Sequence, residues 1–128
     1  MRQDIGSNYE LDDVLDAQSR LAATTNSTSI DHAEGACGAF FISCGVFAGT
    51  SLKMTLQHSD DDGSSDAFAD EVTGAGNDVE VELTEAGSGQ INVPNPRERY
   101  SRVEVVGDGT CEYSVTSIIG PLRTMNAQ

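Results

Sequence analysis

The feature that most constrains this chain is a period of two that returns in short bursts. Leu52, Met54 and Leu56 alternate with Lys53, Thr55 and Gln57, and Val79, Val81 and Leu83 alternate with Glu80, Glu82 and Thr84. Val103 and Val105 alternate with Arg102 and Glu104, and Tyr113 and Val115 with Ser114 and Thr116. Successive side chains of an extended strand point to opposite faces, so each burst lays one face in a core and the other in water. Gly, Asn, Asp or Pro bounds every burst, residues that tolerate turn geometry. About eight short strands with a turn every ten residues or so predict an antiparallel sandwich or small barrel. The run "GAFFISCGVFAG" is apolar on both faces and predicts a central strand covered on two sides. "GDGT", Gly107 to Thr110, predicts a hairpin turn between the last two long strands.

A chain of 128 residues makes one domain, which buries roughly two thirds of its unfolded surface and needs neither metal nor disulfide to fold. With no Trp and only four Phe and three Tyr, the core must come mainly from Val, Ile, Leu and Ala. The net charge of -14 and pI near 4.1 oppose a nucleic-acid backbone or an anionic membrane as partner, and leave a basic or dipolar protein surface open. The three cysteines lack metal-ligand spacing, and Cys37 and Cys44 face opposite sides of any shared strand. All three read as small apolar residues in a reducing compartment. The N-terminus has no apolar signal core and the longest apolar run is too short for a bilayer, so a soluble, unsecreted protein is expected. The sequon Asn26-Ser27-Thr28 then reads as chance.

Tyr9, Leu11, Val14, Leu15 and Leu21 fit neither a clean helix nor a clean strand, and acids crowd between them at 10, 12, 13 and 16. Residues 1–21 are therefore expected to form an N-terminal arm or irregular segment, and 22–128 the sandwich. Tyr9, Leu11, Val14 and Leu15 are the arm's candidate partner contacts, with the sparse apolar anchoring that lying across a neighbour requires.

"LQHSDDDGSSDAF", Leu56 to Phe68, invites a metal or an acid catalyst. Placing Gly63 at the sixth position of a calcium loop puts His58 first and Ala69 twelfth, where an aspartate and a bidentate glutamate are needed. The match fails at both ends and the flanks are strands, so a solvated turn is the reading. His32 and His58 sit beside no nucleophile motif, there is no GxSxG, and "GAGNDV" lacks a third glycine and a following helix. Most carboxylates alternate outward, where nothing raises a pKa for acid catalysis. No catalytic residue, metal or cofactor is expected. "PNPRERYSR" gathers Arg97, Arg99 and Arg102, which either offset neighbouring acids or meet a partner; Arg97 and Arg99 join the candidate contacts.

The order of these segments resembles that of the small jelly-roll cement or decoration proteins of tailed phages. That family carries an "LQxSDDGSxF" strand and turn, an "RYxRV" strand, and a last strand closing in glycine, proline and a basic residue. Here these fall on Leu56 to Phe68, on Arg99, Tyr100, Arg102 and Val103, and on Gly120, Pro121 and Arg123, and the likeness runs from about residue 9 to 124. Two departures are one additional aspartate in the turn and a more acidic N-terminal segment. The resemblance implies an all-β, jelly-roll-like antiparallel β-sandwich with an N-terminal arm. It also implies a non-enzymatic virion protein, made in the host cytoplasm, on the outer surface of an HK97-type capsid. There it cements neighbouring major capsid proteins, as a homotrimer by preference or a homodimer, with the Arg123 region a further contact. The alternative is a carbohydrate-binding module of a tail or host-recognition structure, which needs exposed aromatic rings that a chain without Trp supplies poorly.

Overall fold

The computed structural model describes residues 10–20, 23–32, 37–71, 79–93 and 98–120. Among these residues there are ten strands and no helix: β1 (Glu10–Arg20), β2 (Thr24–Asn26), β3 (Ile30–Asp31), β4 (Cys37–Ala48), β5 (Leu52–Ser59), β6 (Ala69–Asp70), β7 (Glu80–Leu83), β8 (Gly87–Val93), β9 (Tyr100–Gly107) and β10 (Thr110–Gly120). They form two antiparallel sheets. One has the order β1-β10-β4-β8; in the other, β9 and β5 are central, β2 and β3 share the far side of β9, and β6 and β7 share the far side of β5. Counted by position rather than by segment, this is eight strands in two sheets of four, and the chain crosses between the sheets at β1–β2, β3–β4, β4–β5, β7–β8, β8–β9 and β9–β10. Such a β-sandwich, in which β5 with β6 and β7 is the local pairing among the described residues and the other ladders join sequence-distant strands, has the order of a jelly roll.

The alternation seen in the sequence builds the core. Phe40, Ile42 and Val115 from the first sheet face Met54, Leu56, Val103 and Val105 from the second, and all are essentially inaccessible to water. Each such side chain contributes about 1.5–3 kcal/mol through removal from water. Where β2 breaks before β3, buried Ser27 carries the ladder across: its N–H donates to Val103 O (2.9 Å) and its Oγ accepts from Val103 N (2.9 Å). Thr28 N then donates to Val14 O (3.2 Å), joining β1 of one sheet to the β2–β3 connection of the other.

Three expectations are corrected. Residues 10–20 are not an arm or irregular segment but the edge strand β1, paired along β10 from Glu10↔Ile119 to Arg20↔Cys111, so the sandwich begins well before residue 22. Register shifts between Asp13 and Leu15 and between Leu15 and Gln18 destroy the period of two, which is why the strand is invisible in the apolar pattern. β4 is central in its sheet but covered on one face alone, leaving Phe41 and Val46 exposed. "GDGT" joins no hairpin: β9 pairs with β5 and β10 with β4 and β1, so the turn crosses from one sheet to the other. Residues 1–9 and 21–22 lie outside the described residues.

The two adjacent phenylalanines of β4 separate the faces by experiment. Phe40→Ala is expected to lower stability by about 3–5 kcal/mol and Phe41→Ala by less than about 1 kcal/mol, read from urea denaturation midpoints.

Candidate functional site

The Leu56 to Phe68 segment is the end of β5 running into a tight turn in which two acids, Asp61 and Asp66, hold backbone N–H groups. Asp62 and Gly63 both take the left-handed conformation, at φ 61° and 80°. The Asp61 carboxylate accepts from Ser65 N (2.7 Å) and Asp66 N (3.0 Å), and Asp66 Oδ2 accepts from Asp60 N (2.9 Å). Ser59 Oγ lies at the centre, donating to Asp66 O and accepting from Gly63 N (2.9 Å). Asp62 accepts from Ser29 Oγ, which fastens the turn to the β2–β3 connection. One carboxylate oxygen from each of Asp60, Asp66 and Glu98 lies within 4.8 Å of the others. Calcium takes roughly six to eight oxygens, and the Asp66 carboxylate already serves the turn.

The same turn locks onto β9. Arg102 donates through Nε to Gln57 Oε1 (2.8 Å) and lies 4.2 Å over the Phe68 ring, while β5 and β9 pair from Leu52↔Gly107 to Ser59↔Tyr100. Two of the three segments that carry the resemblance to cement proteins therefore interlock as one unit of neighbouring strands, and of the third, Gly120 closes β10 while Pro121 and Arg123 lie outside the described residues.

Of the candidate partner contacts, Tyr9, Arg97 and Arg123 lie outside the described residues. Val14 is 4% exposed and belongs to the core, and Leu15 packs against it, so neither side chain is offered to a neighbour. Arg99 is engaged by Asp31 through two 2.9 Å bonds, Nε to Oδ1 and the terminal nitrogen to Oδ2, yet stays on the surface. Leu11, at 65% exposure, is the freely presented member of the group. The sequence reading missed Phe41 and Val46, which share with Leu11 the outer face of the first sheet. The signal was present as the double-sided apolar pattern of β4, read there as burial.

The histidines have structural partners. His32 Nε2 lies 2.9 Å from Ser101 Oγ, but both residues are buried, so this serine–histidine pair meets no solvent-borne substrate. His58 Nδ1 lies 3.1 Å from Glu98 Oε2. Cys44 and Cys111 are buried on the inner face of β4 and β10, and burial, with Cys111 beside it, pushes the Cys44 thiol up. Cys37 is partly exposed.

At the opposite end, Asp108 of the "GDGT" turn clamps the β4–β5 corner. Its carboxylate accepts from the Thr50 hydroxyl, from Thr50 N (2.8 Å) and from Ser51 N (3.0 Å). The two turns touch so closely that a Cβ on Gly109 would come within 2.5 Å of Ala48 O. These donors hold the Asp108 carboxyl below the ordinary range, the Thr50 hydroxyl foremost. The backbone N–H groups of Asp66 and then Ser65 do the same to Asp61. A carboxyl lowered in the folded state stabilises fully above its unfolded pKa, and loses that contribution as pH falls through the folded value. Denaturation midpoints are thus expected to fall as pH drops below the ordinary carboxylate range, and the fall to be shallower in an Asp61→Asn, Asp108→Asn variant. Thiol titration with a colorimetric disulfide should find one cysteine, Cys37, reactive in the native protein and all three in denaturant.

No protein-family model matches the chain, and no curated protein sequence matches it. Solved structures share its fold. The PBSX exported protein XepA superposes with a TM-score of 0.61 at 12% identity, over 96% of this chain and 40% of that one. The chain thus spans less than half of XepA. A subunit of the Bacillus endospore appendages, described as a family of disulfide-linked pili, superposes with a TM-score of 0.52 at 11% identity, over 90% of this chain and 89% of that one. At such identities the likeness is one of fold.

Proposed function

We propose that this protein is a structural, non-enzymatic virion component that binds the outer surface of an HK97-type phage capsid and cements neighbouring major capsid proteins. The observation that carries the reading is the interlock of the Leu56–Phe68 and Arg99–Val103 segments through Arg102, Gln57 and Phe68 within a jelly roll. Two of the three segments that resemble cement proteins form one strand pair. Asp61 and Asp66 hold the turn geometry, as suits a protein whose task is shape and contact. Short turns clamped at both ends, by Asp61 and by Asp108, suit a protein that must resist deformation with the shell beneath it. Many copies bound side by side gain through multivalency, so each contact is free to be weak.

The carbohydrate-binding alternative finds little support among the described residues: Tyr113 is buried, Tyr100 lies under Arg99, 5.1 Å from guanidinium to ring centre, and Phe41 is the exposed ring left to stack on a sugar. A disulfide-linked filament subunit is the reading that the appendage structure brings to mind. Head-to-tail linkage through disulfides requires two accessible thiols per subunit, and of the three cysteines only Cys37 reaches the surface.

Addition of the protein to expanded cognate capsids lacking it should give stoichiometric binding and raise the temperature at which the shells rupture. Absence of binding in centrifugation through a gradient overturns the cement reading.

A further inference from the structure

Cys44 and Cys111 take no part in the proposed function, yet they lie side by side in the core. They belong to β4 and β10, the two central strands of the first sheet, which pair from end to end. The register is regular from Gly120↔Cys37 to Tyr113↔Cys44 and resumes at Glu112↔Val46, so β4 holds one extra residue, Gly45, in a bulge. Cys44 therefore faces Tyr113 directly and Cys111 on the diagonal, further along the same inner face. The Cys44 thiol leans that way: Sγ donates to Val46 O (3.2 Å), and Val46 is paired with Glu112, next to Cys111. The Cys111 thiol is in turn a hydrogen-bond partner of Cys44. Cys37 is remote, because its partner Gly120 stands roughly 30 Å along β10 from Cys111, at about 3.4 Å per residue.

We propose that Cys44 and Cys111 are a modification site, at which a small organic disulfide oxidises the two thiols to an intrachain disulfide that staples β4 to β10. One cysteine thiolate attacks a sulfur of the small disulfide, forming a mixed disulfide and releasing the first small thiol. The second cysteine thiolate attacks the protein sulfur of that mixed disulfide and releases the other. Two protein thiols thereby lose two electrons and two protons, and two small thiols carry them away. Diagonal neighbours on paired strands stand about 7–8 Å apart at Cα, just beyond the roughly 4.4–6.8 Å that a disulfide spans. The bulge supplies the remaining movement: Gly45 is exposed, and even a Cβ there would meet nothing within 4 Å, so the backbone at the extra residue is free to shift. Access sets the timing. Cys44 is 4% and Cys111 1% exposed, and burial first, then Cys111, pushes the Cys44 thiol up. The closed core neither attacks an outside disulfide nor admits a reductant, so the bond forms while the chain folds or opens. Once formed, it closes a loop from Cys44 to Cys111, restricts the unfolded chain and leaves the sandwich harder to open.

The proposal is independent of the cement reading. The full chain carrying Cys37→Ser, which removes the accessible thiol, is unfolded in urea and refolded either with reduced and oxidised glutathione or with dithiothreitol alone. In glutathione the expected product is lighter by two hydrogens, with the Cys44 and Cys111 peptides joined in a proteolytic map and no thiol titrating in denaturant. Its circular dichroism should match that of the dithiothreitol sample, its urea midpoint should be higher, and its unfolding slower by at least about tenfold. Adding Cys111→Ala should abolish both the link and the difference between the two buffers. Wild-type protein mapped in the same way should show the same link, which keeps the test decisive if Cys37→Ser fails to fold. Two titratable thiols after refolding in glutathione, a glutathione adduct in place of the link, a link through Cys37 in the wild type, or a linked chain with altered dichroism or no higher midpoint overturns the proposal.

Discussion

The contact between the inner faces of two four-position sheets is the interaction on which the rest of the molecule depends. Phe40, Ile42 and Val115 meet Met54, Leu56, Val103 and Val105 across the sandwich, and the strands other than the short β2 and β6 each give one face to that layer. Chain connectivity makes this demanding. Strands adjacent in sequence mostly lie in opposite sheets, so local hairpins supply little, and pairing joins partners as distant as β1 and β10. Loop closure of that length is costly before the core forms.

The corners therefore carry more than their residue types suggest. Asp108 holds the β4–β5 turn to the β9–β10 turn, and Asp61 with Ser59 folds the loop after β5. Ser27 and Thr28 tie the broken β2–β3 edge to β9 and to β1. In each case a short polar side chain accepts a backbone N–H, or a backbone N–H reaches across the gap, that no ladder satisfies. In the acidic loop "SDDDGSSD" the Asp61 and Asp66 carboxylates are answered by backbone N–H donors and Asp62 by the Ser29 hydroxyl.

Charge is distributed with the same economy. Carboxylates crowd the outer face of β5, β7 and β9, while the outer face of the other sheet keeps few and shows Leu11, Phe41 and Val46 instead. A chain of net charge -14 thereby has one outer face crowded with carboxylates and another that exposes large apolar side chains. This polarity is set by which strands share a sheet, and neither alternation nor composition alone specifies it.

The sequence by itself determined the class of fold, the strands β5, β7, β9 and β10, and the inward residues of β5, β9 and β10, because alternation on a pleated strand is a local property of consecutive residues. It also determined that the Leu56 to Phe68 stretch is a strand running into a turn, through alternation before it and turn-forming residues within it. Only the tertiary structure decided that Glu10–Arg20 is an edge strand, since bulges at Asp13–Leu15 and Leu15–Gln18 erase the period while β10 still pairs. Only it decided that "GDGT" crosses the sandwich, because an Asp-Gly turn is compatible with either route and the Asp108 carboxylate chooses by what stands opposite. And only it decided that Phe41 and Val46 face outward uncovered: apolar residues on both sides of a strand record what each side is able to contact, whereas what covers them depends on layers built from residues far away in the chain.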